Sequence, residues 1–155
     1  MRVLALCAAV ALAACTGAPT AVVPTASPTR EPNVVNVTAL LDLSGPRAPS
    51  GQPQRDAMQI WLDQNASTGA LRMRVKFVDV AGSDAKLLLE LRRAAVEDRA
   101  DAVVVGVPVS LEGSFGDAAQ VAAMPIVLTT PGREPAATAA GRAIFTLAPT
   151  PEMLA

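Results

Sequence analysis

The stretch Val34–Asn65, VVNVTALLDLSGPRAPSGQPQRDAMQIWLDQN, constrains the fold of this chain more than any other. Val34–Leu41 is β-branched and apolar, long enough for a buried strand and too short for a typical helix. Leu43-Ser44-Gly45-Pro46 interrupts the run, and Pro49-Ser50-Gly51 keeps the chain irregular for several residues more. Beyond that point Ala57, Met58, Ile60, Trp61 and Leu62 gather on one side of a helix, leaving Arg55, Gln59 and Asp63 to solvent. In an open α/β sheet, the loop leaving the carboxyl end of such a strand is where ligands bind, so this turn is either a ligand loop or an ordinary connection.

The same unit recurs downstream. Leu71–Asp79 alternates, with Leu71, Met73, Val75, Phe77 and Asp79 on one face and Arg72, Arg74, Lys76 and Val78 on the other. Three cations on a strand face suit a sheet edge, and with no interleaved aromatic they make no stacking platform for nucleic acid. Ser83 or Asp84 can cap a helix from Ala85, with Leu87, Leu88, Leu91, Ala94 and Ala95 inward and Glu90, Arg93, Glu97 and Arg99 outward. Asp79 ends its strand, where a catalytic role competes with the turn-forming or capping role that the neighbouring Gly-Ser-Asp favours. Asp101–Gly106 reads as a central parallel strand buried on both faces, and Ser110 stands where it can cap a helix over Leu111–Ala123. Pro125–Thr129 and Gly141–Leu147 supply two further strands. Thr150-Pro151-Glu152 has the order of a helix start, and a helix of one turn does not stand alone. The sequence therefore reads as the front end of a longer protein. Strands alternating with helices predict an α/β fold with a doubly wound parallel sheet.

Composition narrows the chemistry. The 155 residues hold one domain at most, and 51% hydrophobic against 17% charged residues suits a globular core. A net charge of −1 without a basic run gives no case for a nucleic-acid partner. The absence of His removes a His-based triad, a His–Cys dyad and any His-containing zinc site. No GxGxxG follows the first strand and no P-loop lysine is present. The expectation is a non-enzyme with no cofactor and no metal. At the amino terminus, Met1-Arg2 and the apolar run Val3–Leu12 match a signal peptide and are too short to span a bilayer. Leu12-Ala13-Ala14-Cys15 matches the bacterial lipobox, in which Cys15 is lipidated; an ordinary secretory signal is the alternative. A Pro/Thr/Ala-rich tether over 16–33 then precedes the domain proper, 34–155.

The ordered series from the Leu43-Ser44-Gly45-Pro46 turn through Gly51 to Asp63-Gln64-Asn65 and Gly69 resembles the opening of the type I periplasmic binding proteins. The branch it is most similar to is the leucine/isoleucine/valine-binding-protein-like group that serves ABC importers, and the likeness runs from Val34 to about Ala155. The resemblance implies most of the first of two lobes, an extracytoplasmic lipid-anchored protein, an amino-acid-like small ligand and an ABC permease as partner. It implies ligand contacts at Ser44 and Gly45, at Ser110 where the family holds the ligand's carboxylate beside a helix amino terminus, and at Thr129 and Thr130 in the second ligand loop. Arg133, Glu134 and Ser50 depart from the family's pattern, which opens the question of ligand identity; Arg133 either grips an acidic group or pairs with Glu134. A ligand-sensing domain of a signalling receptor with the same fold, and a truncated non-functional remnant, are the other readings.

Overall fold

The structure is a computed structural model that describes residues 31–65, 71–110, 113–130 and 143–147. The expected signal peptide and lipidation site Cys15, most of the expected tether, Arg133 and Glu134, and the expected helix start at Thr150 lie outside the described residues. Eight elements follow one another: β1 (Val34–Leu41), α1 (Ala48–Asn65), β2 (Arg72–Asp79), α2 (Asp84–Val96), β3 (Ala102–Val105), α3 (Ser114–Ala122), β4 (Ile126–Leu128) and β5 (Ile144–Thr146). The strands form one sheet in the order β2-β1-β3-β4-β5, and every pairing is parallel. β1 sets the register for both neighbours, with Val37 opposite Val75 on one side and Ala102 on the other. The basic strand β2 is an edge, where its cations reach solvent and pair outward: Arg74 with Glu31 at 2.9 Å and Lys76 with Asp98 at 2.6 Å.

The order of the strands decides where the helices go. From β1 the chain steps to β2 in one direction, and from β2 onward every step goes the other way. Right-handed crossovers therefore put α1 on one face and α2 and α3 on the other. The second face holds the main core, in which Leu40, Val103, Val105, Ile126 and Leu128 meet Leu87, Leu91, Phe115 and Ala119. Burying side chains of this kind is worth about 1.5–3 kcal/mol each, so this layer supplies most of the apolar stabilisation. Ser83 caps α2 by accepting from the Lys86 amide at 3.3 Å.

Three expectations are corrected. Glu90, placed among the outward residues of α2, is only 9% exposed and is met by Arg93 at 3.2 Å, one helical turn away. The third helix starts at Ser114 rather than Leu111, and its N-cap is Gly113, not Ser110; Gly113 takes φ +76° and ψ −141°, a non-helical backbone open to glycine. The apolar side of α1 is not sealed: Gly51 is its one buried residue among those described, while Ile60 and Trp61 are 57% and 50% exposed. Among the described residues α1 is the one helix on this face, and a helix about 10 Å wide does not cover five strands spaced about 4.8 Å apart. An open apolar cavity of about 330 Å³ results, in which Met58 and Trp61 of α1 face Val37, Met73, Val104 and Val127 of the sheet.

Candidate functional site

Strand order reverses between β1 and β3, and in open α/β sheets the loops leaving the carboxyl ends at such a switch point are where ligand crevices form. Ser44 and Gly45 lie in the first of these loops, Ser110 in the second, and Thr129 and Thr130 directly after the neighbouring strand β4. The fold thus brings all five sequence-predicted residues to one edge of the sheet. What each side chain does there differs.

The loop after β1 is held by Asp79. One carboxylate oxygen accepts from the amides of Leu43 (2.8 Å), Ala81 (2.9 Å) and Ser44 (3.2 Å), and the other accepts from the Ser44 hydroxyl (2.5 Å). Four donors to one carboxylate favour its charged form, and the Ser44 hydroxyl first, then these amides, hold its pKa down at about 2. Asp79 is therefore a loop clamp, the turn-forming role rather than the catalytic one. Asp42, buried at the root of the same loop, accepts from the Gly82 amide at 2.5 Å and has Arg47 within 4.0 Å. Gly45 takes φ +73° with open space around it, so glycine serves the turn's backbone there rather than a close contact. Gly51 is required for the opposite reason, since a Cβ would run into the carbonyl of Asp42.

The loops after β3 and β4 are held by Gln54, which sequence reasoning passed over. Its amide nitrogen donates to the carbonyls of Ser50 and Gly106, both at 3.1 Å, and its amide oxygen accepts from the Thr129 hydroxyl at 2.6 Å. Gly106 must be small because a Cβ would strike Gln54 and Leu41. The signal was present in the pattern: Gln54, Ala57, Met58 and Trp61 stand at i, i+3, i+4 and i+7, so a polar side chain sits on the inward stripe of α1. Thr130 donates to the carbonyl of Val107 at 2.9 Å, drawing the β4 loop toward the β3 loop. Ser110 is exposed. Among the described residues no group of three or more His, Cys, Asp or Glu side chains could hold a metal ion, and no helix is long and apolar enough to cross a membrane.

A parallel sheet with this strand order and, among the described residues, one helix against two can be compared with solved proteins. No protein-family model and no curated protein matches the sequence. Solved structures do. A putative branched-chain amino acid ABC transporter protein from Rhodospirillum rubrum superposes with a TM-score of 0.64 at 19% identity, over 76% of this chain and 35% of that one. The fold is that of the type I periplasmic binding proteins. The branched-chain amino acid substrate-binding protein LivJ of Streptococcus pneumoniae, solved with isoleucine, matches with a TM-score of 0.60 at 17% identity, over 73% of this chain and 33% of its own. A solute-binding protein of an ABC transporter from Rhodopseudomonas palustris, solved with 3,4-dihydroxybenzoic acid, gives 0.58 at 15%, over 74% and 31%. The chain spans about a third of the length of these periplasmic binding proteins.

Proposed function

We propose that this chain is the solute-capturing component of an ABC importer, extracytoplasmic and held at the membrane by lipid on Cys15. The observation that carries the reading is the strand-order switch point of a periplasmic-binding-protein fold, and Ser44, Gly45, Ser110, Thr129 and Thr130 stand in the loops that follow its strands. Open sheets of this class bind ligands there because the loops diverge and leave backbone groups and short polar side chains unscreened. The ligand is a small polar solute of the amino-acid kind, and a second lobe closes over it to complete a site of which this crevice is one wall. An ABC permease then receives the solute. The proposal is supported by the names of the matched proteins and by the clamps on each loop, which hold the crevice in shape before any ligand arrives and so lower the ordering cost of binding.

Thermal-shift screening of the protein as its gene encodes it, against amino acids and small hydroxylated or carboxylated solutes, tests the reading. A ligand at a hundred times its Kd should stabilise the folded state by about 2.7 kcal/mol. No shift with any member of the panel would sink it. Radiolabelled palmitate incorporated by the wild type and lost in Cys15→Ser tests the anchor separately.

A further inference from the structure

The inward stripe of α1 is apolar at Ala57, Met58 and Trp61 and polar at Gln54. An apolar side chain at that position would extend the buried layer, whereas the amide makes three hydrogen bonds at the carboxyl edge of the sheet. Gly106 is the first residue after β3 and Thr129 the first after β4. Gln54 donates to the carbonyl of Gly106 at 3.1 Å and accepts from the hydroxyl of Thr129 at 2.6 Å. Its second N–H goes to the Ser50 carbonyl at 3.1 Å, so both protons on the nitrogen are committed. That fixes the amide's orientation, because its oxygen facing two carbonyls would be repelled. One residue further out, Thr130 donates to the Val107 carbonyl at 2.9 Å. The β3 and β4 loops are thus tied at two successive levels, and the lower tie runs through α1.

The backbone makes room for this bridge. A Cβ on Gly106 would strike the Gln54 amide, and Gly51, about one turn before Gln54, lies against the backbone of Asp42. Further along, the helix grips the sheet loosely, with Ile60 and Trp61 half-exposed beside an open cavity. We infer that Gln54 is a positioning residue for solute capture: it sets the spacing of the β3 and β4 loops and so governs solute affinity without touching the solute. The inference rests on the solute-capture reading and adds a residue outside the ligand loops. Without the bridge, Thr129 keeps only the Val105 carbonyl at 3.5 Å, and the Gly106 carbonyl loses its side-chain donor. The loops then spread over several arrangements. Only the fraction in the binding arrangement takes solute, and the apparent Kd rises as that fraction falls. Two hydrogen bonds of ordinary net strength hold the fraction near one, and their loss lowers it to about a tenth.

Calorimetry on the protein as its gene encodes it tests this, with each of the protein amino acids and 3,4-dihydroxybenzoate as probes. The temperature is one at which urea titration shows wild type and variants to be folded. For whichever probe binds the wild type, Gln54→Met should raise Kd about tenfold. Gln54→Glu keeps an acceptor for Thr129 but sets a charged oxygen against the Gly106 carbonyl, so it should weaken binding at least as much, and it carries the test if Gln54→Met does not fold. Gln59→Met, on the outer face of the same helix, should leave Kd unchanged. The double variant Gln54→Met with Thr129→Val should lose less than the product of the two single losses, because both remove one bridge. Wild-type Kd in the Gln54 variants, with the effect confined to the urea midpoint, overturns the inference. So does an equal rise in Gln59→Met, or full multiplication of the two losses. Binding of no probe by the wild type overturns the solute-capture reading, and this inference with it.

Discussion

Replacing Asp79 by Asn isolates the clamp on the β1 loop. The Asn side chain keeps an oxygen for the amides of Leu43, Ala81 and Ser44 but turns an NH₂ toward the Ser44 hydroxyl, and it carries no charge. The pKa of Asp79 is depressed from 3.8 to about 2. At about 1.4 kcal/mol for each tenfold change in proton affinity this sets a ceiling of roughly 2.5 kcal/mol at neutral pH. Asp79 is partly solvated, so screening reduces the expected loss to roughly 1 kcal/mol. The sign follows from the direction of the shift: a carboxylate with a lowered folded pKa stabilises above its unfolded value, and that stability drains away as pH falls from 3.8 toward 2. Urea denaturation of wild type and Asp79→Asn should therefore show a gap of about 1 kcal/mol at pH 7 that falls to about a third by pH 2.5. A gap of the same size at both pH values would refute the electrostatic account, and no gap at pH 7 would refute the clamp.

Other expectations follow from single contacts. Gly51→Ala should cost about 3 kcal/mol or more, read as a lower urea midpoint, because its Cβ meets the backbone of Asp42 and no side chain can move aside. Gln54→Met keeps the length but strands the Gly106 carbonyl and leaves the Thr129 hydroxyl only the Val105 carbonyl at 3.5 Å, for a loss of about 1–3 kcal/mol; faster amide hydrogen exchange at Gly106 and Thr129 should accompany it. Ser83→Ala removes the cap of α2 and should lower stability by about 1 kcal/mol in the same assay, with Ser83→Asp close to wild type.

Much of this architecture was legible because its elements bury regular stripes. The alternation of Leu71–Asp79, the β-branched run at 102–105 and the Leu87, Leu91, Ala94 stripe each specify an element and a face. The edge position of β2 could be read from Arg72, Arg74 and Lys76. Local signals failed where long-range contacts decide. Gln54 acts on residues 52 and 75 positions away, and nothing in its neighbourhood states that partners exist at that distance. The start of α3 was misplaced because Ser110 is a good capping residue, whereas the backbone turns at Gly113. The exposure of Ile60 and Trp61 was hidden for another reason: an apolar stripe says which face seeks cover, not whether one helix is enough to provide it. At the site, the loops could be located by strand ends alone, but the direction of each hydroxyl proton depends on partners that only the fold brings together.

The half-exposed Trp61 has a consequence for measurement. It is the chain's sole indole and lies on the open side of the sheet, away from the layer that holds Leu87, Leu91 and Phe115. Its emission is thus a local gauge of the α1 side, while far-ultraviolet circular dichroism averages over all the helices. If the two sides of the sheet come apart together, the two signals trace one denaturation curve. If α1 lifts first, fluorescence will change at lower denaturant than ellipticity, and a single midpoint from either probe would misstate the stability of the protein.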